Sequence, residues 1–470
     1  MAASAAAAAL CLGASAATTA STASPAAAGP GSQLWVSSYN GPNHSFDVAT
    51  ATVASPDGRV VFVTGRSAGA KNTDDYATVA YNSTTGARLW VSRYTAPGGS
   101  IDAPFAIGIS PDGSTVYVTG ESVGAGSGSF DYATVAYDAK TGAQKWVRRY
   151  NGPNNSVDVA KSLAVSPGGR TVYVTGYSGM QGRYDYVTIA YNALTGARRW
   201  LSRYNGRAGG NDQGRAVAVS PDGRTVYVTG RSQGRRSGYD IATIAYSAVT
   251  GAQKWAGRYD GPANLDDFGT GLAVAPGGRA AYVTGGVGAP GRQLGFVTIA
   301  YKSSSGKALW TSRTRGWSII NDVGSSVGVT PDGRTVLVAN YTAGTTTRTA
   351  YATTAYNAST GTARWSRRYA GPAGNNDNLP AALGISPDGS TAYVTGTSDS
   401  PTSSRDYATV AYRIATGALL WVSRFTGLGS ASDQANGLAV NPKGNAVYVT
   451  GASTVSLTRA DFATVAYRSG

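Results

Sequence analysis

Along most of this chain apolar and polar residues alternate in short runs closed off by Gly, Pro, Asn and Asp, the pattern of half-buried β-strands. The segment 159–204 shows it plainly, with runs at Val159–Val165, Thr171–Thr175, Tyr186–Tyr191 and Arg198–Tyr204. Its turns carry their own chemistry. Ser166-Pro167-Gly168-Gly169 and its Ser-Pro-Asp-Gly counterparts predict tight hairpins, because proline presets the first turn angle and glycine accepts positive φ. Thr195-Gly196 predicts the turn before the outermost strand.

This four-strand unit recurs, and tryptophans mark it: Trp35, Trp90, Trp146, Trp200, Trp255, Trp310, Trp365 and Trp421, at steps of 54 to 56 residues. Four short antiparallel strands per period, repeated eight times, predict an all-β, eight-bladed β-propeller occupying residues 29–470 as one domain. Gln33–Tyr39 reads as an outermost strand and Phe462–Tyr467 as a third strand. The two ends are therefore expected to complete one blade between them and close the ring, where an open solenoid would leave both unpaired.

Composition narrows the setting. The only cysteine, Cys11, falls in an Ala-rich stretch, residues 1–28, that reads as a secretory signal or a disordered leader, although no Lys or Arg stands near Met1. Secretion is expected, without disulfides or reactive thiols in the remainder. No other segment has the roughly 18 apolar residues that cross a bilayer. The net charge is +15, from 40 Lys plus Arg against 25 Asp plus Glu, and the basic residues are spread over every repeat. Diffuse attraction to wall polymers or acidic glycans follows more readily than nucleic-acid recognition. A closed ring has few edges to cover, so a monomer is expected.

The segment Ala80-Tyr81-Asn82-Ser83-Thr84-Thr85-Gly86-Ala87-Arg88-Leu89-Trp90 resembles the tryptophan-docking motif of pyrroloquinoline-quinone (PQQ)-like repeat propellers, A-x-[DN]-x-x-T-G-x-x-x-W. It recurs at Ala136–Trp146, Ala190–Trp200 and Ala355–Trp365, with looser copies ending at Trp255, Trp310 and Trp421. The resemblance covers nearly the whole chain and implies that all eight tryptophans dock neighbouring blades. It also brings to mind quinoprotein dehydrogenases, whose active sites use a calcium held by Glu and Asn, a catalytic Asp and commonly a vicinal disulfide. Those active-site residues are not recognisable here: the cysteines are missing, and Glu121 is the sole glutamate.

Of the acidic residues 24 are Asp, and most fall on a template. Asp47, Asp102, Asp158, Asp212, Asp267, Asp322 and Asp433 begin innermost strands, with Asn378 in the seventh repeat; Asp75, Asp131, Asp185, Asp240, Asp406 and Asp461 begin third strands. Both sets are expected on one face near the channel. A recurring Asp usually satisfies loop amides, yet such a ring could also hold a cation, and whether a metal binds stays open. Chemistry is expected where the template breaks: repeats five and six carry Gly295 and Ala350 in place of the third-strand Asp, and an unusual loop precedes Asp322. The candidate ligand residues are therefore Asp267, Asp322, Arg315, Trp317 and Phe296, with Trp317 as a stacking platform and Arg315 as an anion contact.

No catalytic residue can be assigned. His44 is the only histidine, which excludes a hydrolytic triad and a His-rich metal site. Arg93, Arg149, Arg203, Arg258, Arg313, Arg368 and Arg424 recur on the outer strands, where they are expected to form a basic girdle. The expected function is a secreted, non-catalytic binding or scaffold propeller whose ligand is a cell-wall or other extracellular polymer or a protein partner, without a cofactor. The alternative is an enzyme: a dehydrogenase of sugars or alcohols using PQQ and calcium, or a carbohydrate-active enzyme using channel-face Asp residues.

Overall fold

The computed structural model describes residues 29–470 apart from 70–72, 98, 100, 125–127, 291–292, 319–325, 344–348, 373–377, 401–404, 428–431 and 457–458. Eight four-stranded antiparallel sheets form an eight-bladed propeller ring. Each blade runs from an inner strand against the channel to an outer one, and inner strands of successive blades pack on one another. The one helical element among the described residues is a single turn at Pro153–Asn155, and none is long and apolar enough to span a membrane.

Blade three consists of Val157–Val165, Thr171–Met180, Arg183–Asn192 and Arg198–Tyr204. Its middle strands outrun the pattern-based bounds because Gly176–Met180 stays paired with Arg183–Val187 above the apolar core. Each Ser-Pro-Asp-Gly hairpin is built as its residues require. In the first, the Ser55 hydroxyl donates to Asp57 and accepts the amides of Arg59 and Val60, and Gly58 has φ +68°.

The tryptophans hold the blades together. Each indole N–H donates to a backbone carbonyl of the following blade, at 2.7–3.0 Å in all eight cases; Trp146, for example, donates to Ala193 O. The ring lies flat over the turn glycine of that neighbour. A Cβ at Gly196 would meet the Trp146 indole at 2.7 Å, and its φ is +70°. Tyr117 and Tyr191 flank the same indole from the two blades it joins, with centroids 5.9 and 6.2 Å away. Between blades, third-strand tyrosines add a further bond: Tyr132 and Tyr186 donate to Val187 O and Ala242 O of the next blade. Within a blade, paired threonines such as Thr119 and Thr134 bridge the middle strands at 2.9 Å.

The ring closes as expected. Gln33–Tyr39 pairs antiparallel with Arg459–Arg468, completing the eighth blade. The docking motif there is divided between the two ends: Trp421 donates to Ser469 O while its ring covers Gly31, whose amide donates to Arg468 O at 2.8 Å.

Truncating Trp200 to Ala removes this interface at one seam and is expected to cost about 3–5 kcal/mol. Urea unfolding measures it, with Leu194→Ala, 79% exposed on the turn that precedes the Trp200 strand, as the control expected within about 0.5 kcal/mol of the parent.

Candidate functional site

The recurring carboxylates lie at the end of the ring where both sets were expected, but they face inward. Asp47, Asp102, Asp158, Asp212, Asp267 and Asp433 are fully buried. Asp47 accepts the amides of Gly41 and Ala68, so it fastens the loop arriving from the previous blade to the second strand. Gly152, Gly206 and Gly261 donate in the same way to Asp158, Asp212 and Asp267. Burial raises the inner-strand carboxyls, and the neighbouring serine hydroxyl and amides pull them back.

The second set is paired with arginine. In blade two Arg149 donates to Asp131 Oδ2 at 2.8 Å, to the Ser122 hydroxyl, and to Tyr94 Oη of the previous blade at 2.9 Å. Equivalent ion pairs join Asp75 to Arg93, Asp185 to Arg203, Asp240 to Arg258 and Asp406 to Arg424, at 2.7–3.1 Å. These five arginine side chains keep only 21–30% exposure. They are internal struts, which corrects the expected basic girdle: of that set only Arg313 and Arg368 lack a third-strand Asp. The expected acidic face is likewise neutralised from within. The adjacent pair Asp74 and Asp75 divides between two faces, Asp74 reaching Arg66 at 3.4 Å and Asp75 reaching Arg93.

Of the candidate ligand residues, Asp267 and Phe296 are described in full. Asp322 lies outside the described residues, as do the side chains of Arg315 and Trp317 at the end of strand Ala308–Ser318. Asp267 is sealed under the loop at Gly261 and accepts a second amide from Gly288. Blade five has Val287 where six other blades place a serine, and burial with no hydroxyl beside it pushes the Asp267 carboxyl up to about 7. Phe296 is buried between blades five and six, edge-on to Tyr341 at 5.1 Å. His44 is exposed in its loop beside the Asn40 amide.

A different group lines the channel mouth. Every fully described inner strand carries a one-residue bulge, at Thr50, Phe105, Lys161, Arg215, Thr270, Ala381 and Asn436. Phe105, Lys161, Arg215 and Thr270, with Tyr177, Gln213 and Arg231, line a cleft of about 550 Å³. Lys161 Nζ stands 3.8 Å above the Phe105 ring, and the Arg231 guanidinium lies 4.5 Å from Tyr239 while donating to Gln213. The carboxylate here is Glu121, raised by burial and pulled down by Lys161 and Arg66. The cleft is therefore cationic and aromatic and suits an anionic, partly planar ligand. A sequence signal for it exists. Most core positions repeat from blade to blade, whereas the seven bulge residues read Thr, Phe, Lys, Arg, Thr, Ala, Asn, and the column of Arg66, Glu121, Tyr177 and Arg231 is equally varied.

Fold and docking motif together define a PQQ-like repeat propeller. The chain belongs to the family described as outer membrane protein assembly factor BamB, whose pattern matches residues 20–256. No curated protein matches it. Solved structures similar to it include Sqt1 of Chaetomium thermophilum, at 12% identity and TM-score 0.60 over 94% of this chain and 98% of that one. Quinohemoprotein alcohol dehydrogenase from Comamonas testosteroni aligns at 16% identity and TM-score 0.55, over 93% of this chain and 76% of that one. BamB from Moraxella catarrhalis aligns at 16% identity and TM-score 0.50, over 93% and 99%. At such identities the likeness is one of fold.

Asp267 makes stability pH-dependent. In the folded protein it stays protonated to about pH 7, while in the unfolded chain it ionises near its ordinary value of 3.8. Its contribution is full below about pH 4 and is lost as the pH rises to about 7. Asp433, raised to about 6, adds a similar slope that ends lower. Thermal unfolding of Asp267→Asn between pH 6 and 7 should therefore show a flatter decline than the parent; equal slopes would place the titration elsewhere.

Proposed function

We propose that this protein is a non-catalytic binding propeller that works outside the cytoplasm and seats an acidic segment of a protein partner on its channel mouth. The observation that carries the reading is the cationic and aromatic wall built by Phe105, Lys161, Tyr177, Arg215 and Arg231 across neighbouring blades. Secretion rests on the Ala-rich leader. A protein partner is favoured by the family's description as an assembly factor and by a similarly folded structure, Sqt1, bound to the N-terminus of ribosomal protein L10.

The alternative of a PQQ-dependent dehydrogenase needs carboxylates free to hold calcium. The inner-strand aspartates are buried and committed to loop amides, and Glu121 sits beside Lys161 and Arg66. This donor set does not fit a calcium-held quinone, which supports the reading without a cofactor. A carbohydrate-active enzyme using Asp267 is disfavoured by the same burial.

Calorimetric titration of residues 29–470 with a polyglutamate peptide, a uronate polymer, and PQQ with calcium tests these readings. Saturable, salt-sensitive binding of the peptide is expected, weakened at least about tenfold in the Lys161→Ala, Arg215→Ala, Arg231→Ala variant. Preference for the uronate polymer would shift the partner to a wall polysaccharide. Saturable quinone binding would overturn the non-catalytic reading.

A further inference from the structure

The seam between blades five and six lacks groups that fill the same space elsewhere. In five seams the last aromatic of one blade's outer strand, Tyr39, Tyr94, Tyr150, Tyr204 or Tyr369, receives the arginine of the next blade, which also binds that blade's third-strand Asp. At blades five and six the tyrosine position holds Thr314 and the Asp position holds Ala350, while the arginine, Arg368, is retained. Subtracting a phenol and a carboxylate from a close-packed seam leaves a void. A cavity of about 290 Å³ lies there, lined among others by Phe296, Thr314, Asn340, Tyr341, Thr354 and Arg368.

The lining departs from the template in a second respect. Asn340 occupies the position held by Gly65, Gly120, Gly176, Gly230, Gly285, Gly396 and Gly451 in the other blades. At those glycines an added Cβ would run into the inner strand. An amide therefore enters the seam at a point where every other blade admits no side chain. Arg368, unlike its half-buried counterparts, is exposed and makes no ion pair among the described residues.

We propose that this seam binds a small ring-bearing organic carboxylate, a hydroxybenzoate or a hexuronate. Its carboxylate takes the place of the absent third-strand Asp against Arg368, where a guanidinium donates to two oxygens side by side. Its ring fills the space of the absent tyrosine beside Phe296, and its hydroxyls meet the Asn340 amide and the Thr354 and Ser366 hydroxyls. The volume is near the lower end for ligand sites and matches one six-membered ring with its substituents. The site is separate from the channel mouth and stands whether or not the acidic-partner reading holds.

Calorimetric titration with 4-hydroxybenzoate, with glucuronate, and with the neutral 4-hydroxybenzamide tests the proposal. One acid is expected to bind saturably and the amide not at all; the preferred acid tells an aromatic ligand from a sugar acid. Arg368→Gln, at an exposed position, should weaken binding at least about tenfold. Ala350→Asp alone, and with Thr314→Tyr, restores the groups of a complete seam and should abolish binding while raising the unfolding midpoint. No binding of either acid up to about 10 mM, or undiminished binding in Arg368→Gln or Ala350→Asp, would overturn the site.

Discussion

The indole that reaches across each seam is the contact on which the rest of this ring depends. A blade alone has one sheet face too many exposed, and only its neighbour can cover it. The tryptophan joins the two by an N–H to carbonyl bond and by a flat contact that tolerates nothing larger than glycine beneath it. That pairing fixes both the distance and the angle between blades. Eight repetitions of one angle bring the final strand back to the first without any cross-link.

Charge is organised around the same geometry. The acidic residues that recur in this basic protein are drawn into the blades, where they hold loop amides and arginine struts. In the cleft at the channel mouth the charge is then set by Lys161, Arg215 and Arg231. Replacing the partners of an arginine strut with small residues does not simply weaken a blade; it leaves a cation exposed and opens volume together, as between blades five and six. The repeat thus converts local loss into a place where something else can fit.

Much of this was legible from local chemistry. The strand count, the hairpins, the composite blade and the docking role of the tryptophans follow from turn residues and a fixed period, which act over a few positions. The direction in which Asp75 or Arg93 points does not, because it depends on a partner on the neighbouring strand, 18 residues away along the chain. The clue was present: aspartate and arginine recur 18 residues apart in five blades, as at Asp131 and Arg149, and a constant offset implies a constant contact. The channel cations escape a reading by motif for the opposite reason. Lys161 and Arg215 break no motif, and their meaning lies in differing from their counterparts at Thr50 and Ala381. Asp322, Arg315 and Trp317 stand out by the unusual composition of the loop at 314–321, a criterion that carries no information about placement.

The divided motif at Trp421 has a topological consequence. Gly31 and Ser469 present to that indole the same turn that a continuous stretch presents at every other seam. Packing therefore does not distinguish the junction of the two ends from the other seven. A circularly permuted chain, opened at a different outer turn and spliced here, would meet the same set of contacts, so the order of blades along the backbone is a matter of ancestry rather than of physics.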